Sequence, residues 1–587
     1  MPSIRNLLWI LITTSLIVFV GVTSRPLLKS SEGRVARVAQ EMLEDGDWIV
    51  PHLNGAVRLE KPPFSSWLVA LTSKFSGALR VEAWHAYVPP GGAAIMLVLL
   101  IYCWTSNKAF TSEHLTQPIG SSLSKGMLAA LVLVTAPGFL LQAHSAEMDM
   151  LLALWVTVSF WGFWKFRMEG CVAALLVAYG ALGLAILTKA HTGIVLCVPA
   201  LLFWHWTERQ RMALPLLVRA LPKRQPQLKM SCCLDFSAVA FNMRGPMTRA
   251  GTMKWHLLGL LLVGVIVLPW AIPFIERSGI TWQDFNREGG SGRFSSETGH
   301  QESWYWYIYQ VPGWFLPWIL LFPLALWQTR MLPPDEHSPL RRLCWCWFGW
   351  GMLLFSAVSS KQRHYSIIFF PPMAILIADA IERWAGHFEP GIRKFAKGCL
   401  ALFSGTLAFS ALVLPWLVCR GGGVYALLPG ENVAIAWVMA MLAAVAFSLS
   451  ALAIQRRQCC VMSWWTGFLC VVMVFTVTRE YCESHESGLE RFAHHVRTEV
   501  PQDSQLYDYS VAYANNTWRA QVLFYLQRKL TRTDCTLTEL IQEKGRNVFA
   551  LATENAIKNV PVELYEVLLN EHKFLGHKNQ IFLLRGK

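Results

Sequence analysis

"SEGRVARVAQEMLEDGDWIVPHLNGAVRLEKPPFSSWL", residues 31–68, follows the first apolar run of the chain and breaks sharply from it. Glu32, Arg34, Arg37, Glu41, Glu44, Asp45 and Asp47 crowd its first half, and Arg58, Glu60 and Lys61 stand in its second. Val35, Val38, Ala39, Met42 and Leu43 recur at helical spacing after Ser30 or Ser31 as N-cap, and Gly46 stops the run. This predicts a short amphipathic helix lying on a membrane surface. Arg37 and Glu41, at i,i+4, read as a solvated surface pair. After Pro62–Pro63 a second surface helix is predicted over residues 64–77, too short to span a bilayer.

The rest of the chain explains why such a loop is needed. Of its 587 residues 54% are hydrophobic and only 15% charged, where soluble domains carry about 25%. About thirteen apolar runs are long enough to span: near 7–23, 86–104, 125–142, 150–166, 172–188, 191–206, 255–275, 305–327, 343–358, 365–382, 398–418, 432–454 and 460–478. The first reads as a retained signal anchor. The spans read as clean at their centres, with charge at their ends. The predicted fold is therefore an all-α polytopic membrane domain over residues 1–478, helical wherever it meets lipid.

With the N-terminus in the cytoplasm, the loop 207–254 falls inside, as do Arg341–Arg342, Arg393–Lys394–Lys397 and Arg456–Arg457. That loop holds Arg209, Arg211, Arg219, Lys223, Arg224, Lys229, Arg244, Arg249 and Lys254 against Glu208 and Asp235. This satisfies the positive-inside rule, so the net charge of +14 points to membrane orientation and not to nucleic acid. Residues 24–85, 276–304 and 479–587 then lie outside, in contact with membrane lipids where they meet the bilayer.

Beyond residue 479 charge rises and apolar runs shorten. "LERFAHHVRTEV" and "TLTELIQEKG" read as helices, and "SQLYDYSV", "NVFALAT" and "QIFLLRG" as strands, which predicts a small α/β domain over 479–587. Of fourteen cysteines only Cys482 and Cys535 lie there, and spacing leaves their pairing open.

Ionisable groups at span ends are costly without a partner or a task. Several share the outer side: Glu32 and Arg34, then Arg58, Glu60 and Lys61. "SAEMDML" adds Glu147 and Asp149, "LTKAHTG" adds Lys189 and His191, and "SSKQRHYS" adds Lys361, Arg363 and His364. For each there is a plain alternative: a first-turn acid favoured by the helix dipole, an interfacial cap, or a cation reaching headgroups. Their shared side suits transfer from a lipid phosphate. Lysine and arginine hold the phosphate and stabilise it as it departs, and a carboxylate takes a proton from an acceptor hydroxyl.

On these residues the sequence resembles bacterial type C glycosyltransferases of the protein O-mannosyltransferase superfamily, in the branch of the lipid A aminoarabinose transferases. Residues 31–68 carry the most specific likeness. "SAEMDMLLAL", "GLAILTKAHTG", "FNREGGSGRF", "WYWYIYQVPGWFLPW" and "LFSAVSSKQRHYSIIFFPPMAIL" follow in the family's order, up to about residue 385. The resemblance implies a polyprenyl-phosphate-sugar donor and an envelope acceptor (lipid A, another glycan or a protein). It places the transfer, with inversion, on the outer face of the bacterial inner membrane. It implies that Arg34 and Lys61, with Lys189, bind the donor phosphate and that Asp149 is an acidic site residue. Arg58, Glu60, Lys361, Arg363 and Tyr365 would line the pocket. No cofactor is clear from it; a divalent metal on Glu60 and His300 is the one ligand set it offers.

One position departs from the pattern. The family carries an aspartate, its favoured base, immediately before Glu32; here it is Ser31, which cannot hold a proton as a carboxylate does near neutral pH. Either Glu32 or Asp149 supplies the base, or the acceptor needs little base catalysis, or the chain is a catalytically lapsed relative. A lipid-carrier transporter is the alternative from another class.

Overall fold

The computed structural model describes residues 4–19, 22–27, 29–58, 61–106, 125–220, 249–279, 302–316, 318–331, 338–386, 490–509, 519–531, 533, 535–558, 560–571 and 581–587. The expected spans at 398–418, 432–454 and 460–478 lie outside them, as does Cys482; Cys535 is a free, exposed thiol.

Helix α1 is Ile4–Phe19, α2 Ser30–Asp45 and α3 Phe64–Ser76. Between α2 and α3 a hairpin pairs β1, His52–Leu53, with β2, Ala56–Val57. Its two-residue turn needs positive φ at both positions, which Asn54 (φ 57°) and Gly55 (φ 74°) supply. The carboxylate of Glu41 accepts both turn N–H groups, at 2.8 and 3.1 Å.

α2 differs from its expectation in two ways. Its N-cap is Lys29, not Ser30 or Ser31, because the Glu32 carboxylate reaches back to the Lys29 N–H at 3.0 Å. Nor is it a surface helix with a wet face. Arg37 and Glu41 are fully buried and bonded to each other at 2.8 Å, which corrects the solvated pair. The reason is packing on both sides: α3 covers one flank and the helix Arg519–Leu526 the other. Val35, Ala36 and Ala39 share one apolar core with Phe492, Val522, Leu523 and Phe524.

The bundle follows: α4 is Ala83–Thr105, α5 Lys125–Val134, α6 Pro137–Ala143, α7 Asp149–Glu169, α8 Val172–Lys189 and α9 Thr192–Ala220. Further helices cover Arg249–Ser278, Trp306–Trp314, Phe322–Met331, Pro339–Ala357 and Phe370–Gly386. α9 continues past residue 206, so the first part of the basic loop is helical. Among the described residues four helices are long and apolar enough to cross a membrane, or six if each bent pair is one span. The pairs are the correction to spans read as uninterrupted: α5 and α6 meet at 67°, and the helices over 306–314 and 318–330 at 108°. Pro137 starts α6 and ends the straight run. Charge also sits inside the bundle, where Asp379 takes Lys125 and Arg341. The bundle's apolar core includes the aromatics Phe139, Phe160, Trp318, Trp347 and Phe369.

The tail forms a four-stranded sheet of order β3-β4-β6-β5, with β3 Leu506–Tyr509, β4 Phe549–Thr553, β5 Tyr565–Glu571 and β6 Ile581–Gly586. β3 and β4 run parallel and the other pairs antiparallel. Helices at 490–499 and Leu537–Lys544 lie where the sequence places them; β5 and Arg519–Leu526 were not foreseen.

Candidate functional site

Four chain segments converge at the start of α2. The bend between α5 and α6 delivers the loop 144–148 there. α7 then begins at Asp149, α8 ends at Lys189, and a 3-10 helix, Arg363–Phe369, brings in His364 and Tyr365. A lysine ending a helix is favoured by the helix dipole.

Glu32, 2% exposed, ties the first loop to this bend. Beside the Lys29 N–H, its carboxylate accepts the Ala146 N–H at 3.1 Å and the Ser145 hydroxyl at 2.9 Å. It is thus held in the frame of the site. Next to it Ser31 donates its hydroxyl to Glu147 Oε1 at 2.6 Å. Glu147 Oε2 accepts Lys29 Nζ at 3.2 Å and Gln142 Nε2 at 3.1 Å. Burial alone would raise the Glu147 carboxyl. Lys29 above all, then His364, Ser31 and Gln142, outweigh it and hold the group well below the usual carboxylate range. Burial opposes a charge on Lys29 too, but Glu147 and Glu32 raise its pKa.

Asp149 forms the second half. Lys189 Nζ donates to its Oδ1 at 2.6 Å and sits 3.8 Å from the centroid of the Tyr365 ring. His364 bridges the halves, with Nδ1 3.9 Å from Glu147 Oε2 and Nε2 3.6 Å from Asp149 Oδ2.

Beside these balanced charges lies a group of cations. Lys61, half-buried, takes part in no ion pair among the described residues. Burial first, then Lys189 and Arg58, pull its pKa down to about 7. Arg34 lies near enough to repel it, and the buried Arg34 Nε has no hydrogen-bond partner among the described residues. Arg58 is 9% exposed. Such a cluster is an anion site by charge.

The structure thus brings together Glu32, Arg34, Arg58, Lys61, Asp149, Lys189 and Tyr365. Lys361 instead secures its own loop, donating to the Glu302 carbonyl at 3.1 Å, and Arg363 and His191 are exposed. Glu60 and His300 lie outside the described residues. Sequence reasoning noted Glu147 and His364 as charges but gave them no role, and it missed Lys29. A lysine at a helix N-cap opposes the helix dipole, so it needs an acid partner, and that was the available signal.

Glu147, Asp149 and His364 offer ligand atoms within 4.8 Å of one another, the spacing of a cation site. Lys29 holds one oxygen of Glu147 and Lys189 one oxygen of Asp149, so a divalent ion there would share its carboxylates with two ammonium groups that repel it.

A family model described as dolichyl-phosphate-mannose-protein mannosyltransferase matches residues 36–277. Curated relatives include undecaprenyl phosphate-alpha-4-amino-4-deoxy-L-arabinose arabinosyl transferases. That of Aeromonas salmonicida is 24% identical over 60% of this chain and 56% of its own length. That of Pectobacterium carotovorum is 25% identical over 73% and 69%. The chain therefore spans little more than half the length of the first. Among solved structures, ArnT from Cupriavidus metallidurans bound to undecaprenyl phosphate superposes with a TM-score of 0.68. It shares 18% identity and covers 99% of this chain and 98% of that one. The apo form of that protein gives the same TM-score. The chain has this mostly helical type C glycosyltransferase fold and resembles the lipid A aminoarabinose transferases.

Proposed function

We propose that the chain is an inverting membrane glycosyltransferase that moves one sugar from a polyprenyl phosphate to lipid A. The observation that carries this reading is the cluster of Arg34, Arg58 and Lys61 beside the buried carboxylates Glu147 and Asp149. The cations suit a lipid phosphate, and the carboxylates suit an acceptor and a developing positive sugar. The names of the relatives and the bound carrier in the solved structure support undecaprenyl phosphate as carrier and 4-amino-4-deoxy-L-arabinose as sugar.

In this reading an acceptor oxygen attacks the anomeric carbon from the face opposite the phosphate. The bond from that carbon to the phosphate oxygen breaks, and its electron pair leaves on the phosphate, held by Arg34 and Lys61 with Lys189 near. Thirteen spans, a cytoplasmic N-terminus and an outer α/β domain over 479–587 would set this chemistry on the outer face of the bacterial inner membrane.

The test is transfer by the purified full chain in detergent, given undecaprenyl-phosphate-linked aminoarabinose and lipid A and read by mass spectrometry. Lys61→Ala is expected to abolish transfer with folding and membrane insertion intact; full activity in that variant sinks the phosphate assignment. Ser31 favours a second reading, a lapsed relative, which predicts no transfer by the wild type and a gain with Ser31→Asp.

A further inference from the structure

Three carboxylates stand at the site, and their partners separate them. The Glu32 carboxylate is filled by donors of its own frame, the N–H groups of Lys29 and Ala146 and the Ser145 hydroxyl. Asp149 Oδ1 receives an ammonium at 2.6 Å, a donor that cannot also accept, and its Oδ2 faces the His364 ring at 3.6 Å with no hydroxyl beside it among the bonds the described residues make. Glu147 is arranged differently. Lys29 and Gln142 hold its Oε2, while its Oε1 receives the hydroxyl of Ser31 at 2.6 Å. A hydroxyl donates and accepts at once. Glu147 is 6% exposed, whereas Ser31 is half-buried and so the more accessible of the two.

Resting on the transferase reading above, we propose that Ser31 and Glu147 form a two-residue proton relay that deprotonates the acceptor. The acceptor oxygen bonds to the anomeric carbon as the carbon–phosphate-oxygen bond breaks. The acceptor proton passes to Ser31 Oγ while the Ser31 proton passes to Glu147 Oε1, so the serine ends neutral and Glu147 ends protonated. The electron pair of the broken bond leaves on the lipid phosphate, and Glu147 later releases its proton to water.

A carboxylate stabilised as its anion is a weak base, and that suits this step. An acceptor oxygen that has already bonded to the sugar carbon carries a positive charge, and its proton is then far more acidic than any carboxylic acid. Even a weak base takes such a proton downhill. His364, 3.9 Å from Oε2, adds a polar neighbour on the side away from the serine. Position 31 thus needs no carboxylate of its own, because a carboxylate from the loop between α6 and α7 reaches it through the hydroxyl.

The test compares variants of the purified full chain for transfer from undecaprenyl-phosphate-linked aminoarabinose and for binding of undecaprenyl phosphate. Glu147→Gln is expected to lower kcat about 100-fold, the low end of general base catalysis, with carrier binding unchanged. Ser31→Ala should lose activity too, and Ser31→Thr, which keeps the hydroxyl, should recover most of it. The double variant Ser31→Ala with Glu147→Gln should be no slower than Glu147→Gln alone, since both act in one path. Ser31→Asp should rescue Glu147→Gln by placing a carboxylate where the hydroxyl stood. Near-wild-type transfer by Glu147→Gln, or losses that multiply in the double variant, overturns the relay. A wild type that binds no undecaprenyl phosphate and transfers nothing overturns the transferase reading and the relay with it. Lost carrier binding in Glu147→Gln assigns that residue to folding and overturns the relay alone.

Discussion

Lys189, which ends α8, holds Asp149, which begins α7, across the open end of that helix pair, its Nζ 2.6 Å from the carboxylate. Both groups are buried, so each sets the field the other feels. If the neighbouring cations bind the donor phosphate, the two residues act on binding with opposite sign. Asp149→Asn removes a negative charge near Lys61 and should leave undecaprenyl phosphate affinity equal or higher. Its effect should fall on turnover, by about 100-fold, through lost stabilisation of the positive charge that develops on the sugar. Lys189→Met removes a positive charge and should weaken carrier binding. Binding titrations on both variants decide this; a shift of both in one direction contradicts the arrangement.

Lys61 gives a pH prediction. Its pKa falls from an ordinary 10.5 to about 7 through burial, Lys189 and Arg58. Between those values the unfolded chain binds more protons there than the folded one, so this group favours the fold more as pH rises. A bound phosphate reverses the balance, because it favours the charged lysine and draws in a proton. Affinity for undecaprenyl phosphate should therefore fall above pH 7, by at most about tenfold per unit for one proton. Lys61→Arg keeps its charge throughout and should flatten the profile. Titrations from pH 6 to 9 check it; a wild-type profile as flat as that of Lys61→Arg contradicts it.

The parts of this site that were legible in the sequence are those with a local signal. The periodicity of α2, its stop at Gly46, the start of α3 after Pro62–Pro63 and charges at the ends of apolar runs all survive into the structure. What was not legible depends on long-range contact. Arg37 and Glu41 show an ordinary surface spacing, and only the arrival of the helix Arg519–Leu526 buries them. Ser31 looks like a lost base until the bend at Pro137 places Glu147, 116 residues on, against it. Lys29 has meaning only beside that same carboxylate.

The Arg37–Glu41 pair predicts a stability effect far from the chemistry. Glu41 also anchors the hairpin turn through Asn54 and Gly55. Glu41→Gln leaves the buried Arg37 guanidinium with only the longer contact to Glu44 at 3.6 Å, a loss of about 3 kcal/mol, the low end for removing one partner of a buried pair. Thermal melting of the purified chain should show a clear drop. Replacing both residues, Arg37→Met with Glu41→Leu, should recover part of it; a single variant as stable as wild type contradicts the buried pair.

Gly33 tests how far the tail sets the site. A Cβ there would lie 2.8 Å from the Gln521 backbone nitrogen and 2.9 Å from its Cα, and backbone cannot yield as a flexible side chain can. Gln521 Nε2 donates to the Leu27 carbonyl at 2.8 Å, and the Leu27 N–H donates to the Tyr525 hydroxyl at 2.8 Å. These bonds fix the chain two residues before Lys29, and so fix the start of α2. Gly33→Ala should push the helix Arg519–Leu526 outward at about 1–3 kcal/mol of overpacking. Protease should then cut the tail faster, and transfer should fall because Lys29 and Ser31 lose their register with Glu147. Gly92→Ala, where nothing lies within 4 Å, serves as the control with neither effect. If Gly33→Ala loosens the tail and transfer is unchanged, the first loop holds its geometry without the tail.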